Sequence, residues 1–152
     1  MPWLAVAAWM TMIFMFSAQQ ADESLKTSGG FSEIFAKLFY SEYENLSSLE
    51  QTEIINKCQF FVRKAAHFSI YGVLGILTVI ACKLSDIKHY QVIAALICLL
   101  YAASDELHQK FVEGRSGELR DVIIDFSGSL TGIFFTICIF YFVIKYKKRR
   151  RK

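Results

Sequence analysis

The chain has little proline and little charge, and both scarcities bear on the class of protein. Its 152 residues include one proline, Pro2, so no proline-rich linker divides the chain into domains. Charged residues make up 20% of the chain, against roughly 25% in soluble domains, and apolar residues reach 54%. This balance argues against a soluble globular domain and favours a membrane protein.

Several motifs that carry chemistry are also missing. The four cysteines are scattered and too few for a disulfide framework. The chain has no His-Glu-x-x-His motif and no glycine-rich phosphate loop of the Walker type. Its histidines and aspartates are ligand types that zinc or manganese accepts, but they lack a metal-binding spacing. The sequence therefore predicts no metal and no cofactor.

Apolar segments of nearly membrane-spanning length are abundant. A spanning helix needs about 20 mostly apolar residues. Four segments approach this length, residues 3–18, 65–82, 90–107 and 122–144. The third reaches it only by continuing through Asp105 and Glu106. We predict a single all-α domain over residues 1–152, a polytopic membrane protein built as a bundle of four transmembrane helices.

The distribution of Lys and Arg predicts the orientation, since cytoplasmic loops retain positive charge. The tail 145–152 has seven basic residues and no acid, which places the C-terminus, and with four spans also the N-terminus, in the cytoplasm. Residues 19–64 carry five bases against seven acids and residues 104–121 three against five, so both loops face outward. We interpret the tail as this topology signal rather than as a nucleic-acid-binding or lipid-targeting arm, and predict no nucleic-acid partner.

The first outer loop carries two helical patterns. Apolar residues at helical spacing form one stripe, Phe31, Ile34, Phe35, Leu38 and Phe39. This apolar stripe predicts an amphipathic helix that either lies in the outer membrane interface or covers the bundle. Farther along, Ser47 with Glu50 and Ser48 with Gln51 both fit a capping box. They predict one long helix over about 48–82.

Polar residues concentrate at the outer ends of the predicted spans, in a group that we call the polar cup. Residues three or four apart share one helix face, so polar faces of three segments are predicted to meet. These faces carry Arg63, His67 and Tyr71, then Tyr101, Asp105 and His108, then Asp121 and Asp125. Ser17 ends the first segment at the same level. Because ionisable residues inside spans are costly and tend to mark function, the polar cup is the candidate site.

Roles within the polar cup follow from residue type. His67 or His108 is the candidate general base, and Asp105 or Asp125 is its orienting partner. The structural alternative is that Asp125 pairs with His67 or an arginine only to stabilise the bundle.

Other residues of the polar cup are candidates for binding. Arg63 and Arg115 would hold an anionic headgroup through bidentate contacts. The remaining candidate ligand-binding residues are Tyr71, Glu106, Gln109 and Asp121. Gly128 and Gly132 form a small-x-x-x-small pattern, which favours close helix packing.

Three strings of the polar cup form a recognisable set. They read Arg63-Lys64-x-x-His67-Phe68-x-x-Tyr71, Ser104-Asp105-Glu106-x-His108-Gln109 and Asp121-Val122-x-x-Asp125-x-x-Gly128. Together they resemble the VanZ-like family over about residues 60–135. The stretch that ends in Phe16-Ser17-Ala18-Gln19 also resembles the first helix of that family, with Ala18 where serine is commoner. The resemblance implies a small membrane protein of a Gram-positive bacterium, some of whose relatives raise resistance to the glycopeptide teicoplanin. It implies no particular reaction.

Two functions of different class follow. In the first, the polar cup binds or modifies a membrane-embedded envelope component, such as a lipid-linked cell-wall precursor or the lipoglycopeptide. The alternative is a proton-coupled transporter or flippase subunit that works as a homodimer and uses Asp125 and His67 as a proton relay. A third interpretation involves no chemistry, and has the chain dock a partner through residues 31–40.

Overall fold

The computed structural model describes residues 1–18, 21–40, 42–112 and 117–150, with the backbone alone for residues 21–28. Its helices are α1 (Pro2–Ser17), α2 (Ala21–Phe39), α3 (Ser48–Leu84), α4 (Tyr90–Gln109) and α5 (Leu119–Arg150), with a 3-10 turn at Tyr43–Asn45. No strand occurs in this part of the chain. The all-α class predicted from the sequence is confirmed.

Three of the helices, α3, α4 and α5, are long and apolar enough to cross a membrane. The apolar helix α1 has 16 residues, which at 1.5 Å per residue is about 24 Å, against about 30 Å for the hydrocarbon core. α4 continues through Asp105 and Glu106, as the sequence predicts for a segment that otherwise is too short to span the membrane. The fourth predicted span, α1, stays a prediction.

α3 begins at one of the two capping boxes that the sequence allows. The backbone N–H of Ser47 donates to Glu50 Oε2 at 2.9 Å, and Ser47 Oγ accepts from the Glu50 N–H at 3.4 Å. Hydrogen bonds from Ser47 also hold the pKa of the exposed Glu50 carboxyl below its usual value. Gln51 instead donates to the Tyr43 and Leu46 carbonyls. The single long helix predicted over 48–82 is confirmed.

The direction of the helices gives the bundle two different ends. At one end, Trp3 Nε1 donates to Ser85 Oγ at 2.9 Å, and Lys83 Nζ lies 3.6 Å from the centre of the Phe140 ring. The start of α1, the α3–α4 turn and the last part of α5 therefore share this end. At the opposite end, α1 and α4 finish and α5 begins, and there Ser17 contacts Asp105. We call this second end the polar end.

Glycine allows α3 and α5 to pack backbone against backbone. A Cβ atom on Gly75 would overlap the Ser129 carbonyl, and one on Gly128 would overlap the Phe68 carbonyl. A Cβ atom on Gly132 would overlap the carbonyl of Gly72. The packing role predicted for Gly128 and Gly132 therefore operates within one chain, between α3 and α5.

Helix α2 packs on the N-terminal part of α3 through its small residues. Ser32 and Ala36 are fully buried, and Ala36 clusters with Tyr43 and Cys58. Every residue of the apolar stripe is exposed, from 38% at Phe35 to 76% at Leu38. The stripe therefore does not cover the bundle, because α2 turns its small residues, not its large ones, towards α3.

Candidate functional site

At the polar end, α3 and α5 are joined by three successive polar contacts about one helical turn apart. The outermost is an ion pair between Lys64 and Asp121, whose side chains are 16% and 17% exposed. One turn further in, His67 approaches Asp125. Next, Ser129 Oγ donates to the carbonyl oxygen of Tyr71 at 3.1 Å. This series sets the register of α5 on α3, so that Asp125 lies opposite the polar face of α3.

Asp105 collects hydrogen bonds from three helices on one of its two carboxylate oxygens. Its Oδ2 atom accepts from Ser17 Oγ of α1 at 2.7 Å and from the Tyr71 hydroxyl of α3 at 3.0 Å. Gln109 Nε2, one turn on along α4, donates to the same oxygen at 3.4 Å. Asp105 is 2% exposed, and its Oδ1 atom is buried without a hydrogen-bond partner. The carboxylate is therefore fixed through one oxygen, while the other, buried oxygen accepts no hydrogen bond from the described residues.

Asp125 is buried just as deeply but is held differently. It is 1% exposed, and neither of its carboxylate oxygens has a hydrogen-bond partner among the described residues. His67 Nδ1 lies 3.6 Å from Oδ1, which is longer than the 2.7–3.2 Å of a nitrogen–oxygen hydrogen bond. The Ser129 hydroxyl donates to carbonyl oxygens, including that of Asp125 itself, and not to the carboxylate. Among the arrangements that the sequence left open, the structure places Asp125 beside His67.

Glu106 connects α4 to the start of α5. Its Oε2 atom accepts the backbone N–H of Glu118 at 3.1 Å, one residue before α5 begins. Its Oε1 atom is buried without a hydrogen-bond partner. Gly117 lies close against the Glu106 carbonyl, and a Cβ atom there would overlap it. The side chain of Glu106 thus fixes where α5 starts relative to α4.

The remaining predicted candidates are distributed around this group. The His108 ring stacks on Phe14 with 4.3 Å between ring centres, and its Nε2 atom is buried without a partner. Tyr101 donates to the Met10 carbonyl at 2.6 Å and so links α4 to α1. Arg63 is partly buried on α3 and forms no ion pair with the described residues. Arg115 lies outside the described residues.

The polar end brings acids together without forming a recognisable metal centre. Within the described ranges, no group of three or more His, Cys, Asp or Glu side chains is arranged to hold a metal ion. The unpartnered oxygens of Asp105, Glu106 and Asp125 are instead suited to hydrogen-bond donors.

Three residues that contact the candidate site were not predicted from the sequence to have a role in it. Ser17 was placed at the correct level, but the departure from the family pattern at Ala18 left it without a role, although it is the closest donor to Asp105. Lys64 was noted only within a family string, yet it is the partner of Asp121. Ser129 lies four residues after Asp125, and this helical spacing is the signal that could have found it.

Three helices of spanning length, packed through glycine and carrying buried carboxylates at one end, are the architecture of a small helical membrane protein. The chain belongs to the VanZ/LLP1 family, whose model matches residues 2–143. The match extends the resemblance found in the sequence across the segment between α1 and α3 and most of α5. No curated protein and no solved structure matches the chain.

Proposed function

We propose that α1, α3, α4 and α5 all cross the membrane, with both termini in the cytoplasm and the polar end facing outward. The start of α1 and the last part of α5 share one end of the bundle, as an even number of spans requires. The seven basic residues of the tail continue from that end, which favours a cytoplasmic position. The short helix α1 is accommodated by local thinning of the bilayer, at a modest cost in free energy.

At the outer face, the polar end binds or modifies a lipid-linked or other cell-envelope component. Through this action the protein contributes to resistance against glycopeptides of the teicoplanin type. The observation that carries this proposal is Asp105, whose Oδ2 atom is fixed by donors from three helices while Oδ1 has no partner. A buried charge is weak evidence for stability, so a carboxylate held in this way is better explained by a ligand. Membership of the VanZ/LLP1 family supports the bacterial envelope as the setting.

Residue type alone allowed either histidine to act as the base and either buried aspartate to orient it. The contacts at the polar end favour one of these pairs. His67 is the candidate base with a carboxylate beside it, and that carboxylate is Asp125. Asp105 acts as a separate, fixed acceptor, because its described hydrogen bonds come from Ser17, Tyr71 and Gln109. Arg63 and Arg115 keep the proposed role of holding an anionic headgroup, and lipids of the outer leaflet are the expected source of that headgroup.

The experiment that tests this function compares teicoplanin susceptibility in a glycopeptide-sensitive Gram-positive strain. The strain expresses the wild type, Asp105→Asn, or the control Asp86→Asn. Asp86 is an exposed acid in the α3–α4 turn, at the end of the bundle away from Asp105, with a φ of 52° that asparagine tolerates. Membrane levels of all three proteins are matched by blot.

We expect protection by the wild type and by Asp86→Asn, and loss of protection with Asp105→Asn. Equal protection by all three proteins would show that Asp105 is not needed for resistance, and the proposal would fail. Susceptibility unchanged by the wild type itself would remove the glycopeptide from the proposal altogether.

A proton-coupled transporter or flippase subunit is the second candidate, and the contact between His67 and Asp125 favours it. A relay needs two groups that can exchange a proton, and these side chains approach within 3.6 Å at the polar end. Four helices enclose no path on their own, so this function requires a homodimer. Since Gly128 and Gly132 are occupied by α3, the dimer would form through another surface. A strictly monomeric protein in lipid nanodiscs would contradict this candidate.

A further inference from the structure

Asp105 and Asp125, the two fully buried aspartates of the polar end, have opposite hydrogen-bonding environments. Asp105 accepts three hydrogen bonds on Oδ2, two of them from hydroxyl groups. Asp125 accepts none on either oxygen from the part of the chain that the structure describes. Donors that point at a carboxylate stabilise its ionised form, whereas burial without donors penalises it. The same residue type is therefore placed in one environment that favours charge and in one that opposes it.

The separation between Asp125 and His67 is too long for a hydrogen bond between the two side chains. Hydrogen bonds between a charged imidazole and a carboxylate are short, about 2.7–2.9 Å. The observed distance from Nδ1 to Oδ1 is 3.6 Å. Ser129, which lies one turn away, donates to carbonyl groups and gives the carboxylate no compensation. Among the described residues, an ionised Asp125 would thus have no hydrogen-bond donor, and the nearest possible cation is a protonated His67 at 3.6 Å.

Acidic side chains around Asp125 oppose a negative charge there, whereas a protonated His67 would favour one. From α4, Asp105 interacts with it electrostatically, and Glu106 lies within the same range. From α5 itself, Asp121 is a neighbouring acid, although Lys64 of α3 neutralises it through their ion pair. The tyrosine hydroxyl of α3 is already directed at Asp105. Within the described ranges, His67 is the side chain beside Asp125 that could take up a positive charge.

We propose that Asp125 carries a proton and is neutral in the resting protein, while Asp105 is ionised, so that the polar end presents one acid and one base. This inference rests on the proposed function for the location of the site and deepens it by giving its two fully buried aspartates opposite roles. His67 is the group through which Asp125 exchanges its proton. A ligand meets an acceptor oxygen on Asp105 and an acidic proton on Asp125, a combination that recognises hydroxyl groups better than phosphate.

Infrared spectroscopy of the protein in lipid nanodiscs at neutral pH tests this assignment directly. A protonated carboxyl group has a carbonyl stretch that is distinct from the bands of carboxylates and amides and that shifts in D₂O. We expect this band in Glu106→Gln, which removes the other buried carboxyl group with an unpartnered oxygen. In that background the band should be lost with Asp125→Asn and retained with Asp105→Asn. Absence of the band from Glu106→Gln, its persistence with Asp125→Asn, or its loss with Asp105→Asn would each overturn the proposal.

A stability comparison covers the case in which Asp105→Asn does not fold. Asparagine resembles a neutral aspartic acid in size, so Asp125→Asn should retain the wild-type unfolding temperature. Asp105→Asn should lower it, because the amide replaces a charge that three donors stabilise. Tyr71→Phe removes one of those donors and should lower it in the same direction. Equal losses for both asparagine variants would contradict the assignment.

The infrared spectra test the proton assignment and the resistance phenotype tests the proposed function, so each can be contradicted without the other. Spectra as expected, together with full resistance in Asp105→Asn, would leave the proton assignment standing and remove the proposed function. Resistance that depends on Asp105, with a protonated-carboxyl band that survives Asp125→Asn, would support the proposed function and contradict the proton assignment.

Discussion

Asp105 is the residue on which the hydrogen bonds of the polar end converge. Its three donors come from different segments of the chain, so its position depends on α1, α3 and α4 together. Hydrogen bonds to a charged group are worth about 1.5–3 kcal/mol each, more than those between neutral groups. Single substitutions among the donors should therefore have measurable effects on stability.

Removal of the Ser17 hydroxyl of α1, the closest donor to Asp105, tests how much one of these hydrogen bonds contributes to stability. We expect Ser17→Ala to lower the free energy of unfolding by about 1.5–3 kcal/mol, since Asp105 loses a charge-assisted hydrogen bond in a buried site. Chemical unfolding in mixed micelles measures the change. Thr11→Val is the matched control on the same helix, because the Thr11 hydroxyl is exposed and donates only to the Ala7 carbonyl. The control should stay within about 0.5 kcal/mol of the wild type, and an equal effect of both variants would contradict the role given to Ser17.

The ion pair between Lys64 and Asp121 allows a double-mutant test. Removal of one member of a buried pair typically costs about 3–5 kcal/mol, and partial exposure of both side chains makes this an upper limit here. We expect Lys64→Met and Asp121→Asn each to destabilise the protein, and the double variant to be more stable than the sum of the two losses. Strict additivity of the unfolding free energies would show that the pair contributes no coupling.

At the scale of the elements, the crossing of α3 and α5 positions the site. The carbonyl groups of one helix occupy the space that side chains would take on the other, at Gly75, Gly128 and Gly132. This close contact sets Asp125 beside His67 and Ser129 beside Tyr71. A change in the crossing would separate these pairs even if every polar residue were retained.

Alanine substitution at Gly132 tests the close contact. A methyl group there would overlap the backbone of Gly72, which cannot move as a flexible side chain can. We expect Gly132→Ala to destabilise the protein by about 1–3 kcal/mol or more, as overpacking does. Gly30→Ala in α2 is the control, because no atom lies within 4 Å of the added methyl group. Alanine is favoured over glycine in helices by about 1 kcal/mol, so the control should be neutral or stabilising, and a stable Gly132→Ala would contradict the packing.

At the scale of the whole molecule, the bundle separates its charges by end. Acids are buried at the polar end, whereas the bases of the tail continue α5 at the other end, exposed up to Arg150. In a membrane this separation defines an orientation, because positive flanks are retained in the cytoplasm.

Cysteine labelling in intact cells tests the orientation. We expect a membrane-impermeant maleimide to label Lys110→Cys, which follows α4 at the polar end, and not Asp86→Cys in the α3–α4 turn. Both positions are exposed in the structure. Of the native cysteines, Cys58, Cys82 and Cys98 are buried, and the wild type provides the background signal. Labelling of residue 86 without residue 110 would reverse the topology, and labelling of both would contradict a membrane-spanning arrangement between them.

The sequence by itself determined which segments are helical and where the polar residues lie along them. The long helix α3, its capping box and the extension of α4 through Asp105 were all predictable, because helical periodicity and capping are properties of contiguous residues. Family membership was also predictable, since its signature strings are local. The level of Ser17 beside Asp105 followed from counting residues along the predicted spans.

Only the tertiary structure decided which polar groups contact one another. Rotation of each helix about its axis fixes whether Asp125 meets His67 or an arginine, and that rotation is set by the glycine contacts between α3 and α5. The same holds for the apolar stripe of α2, which periodicity identified but whose outward direction depends on Ser32 and Ala36 packing against α3. The unequal environments of Asp105 and Asp125 arise in the same way, because donors from α1 and α3 reach only one of them.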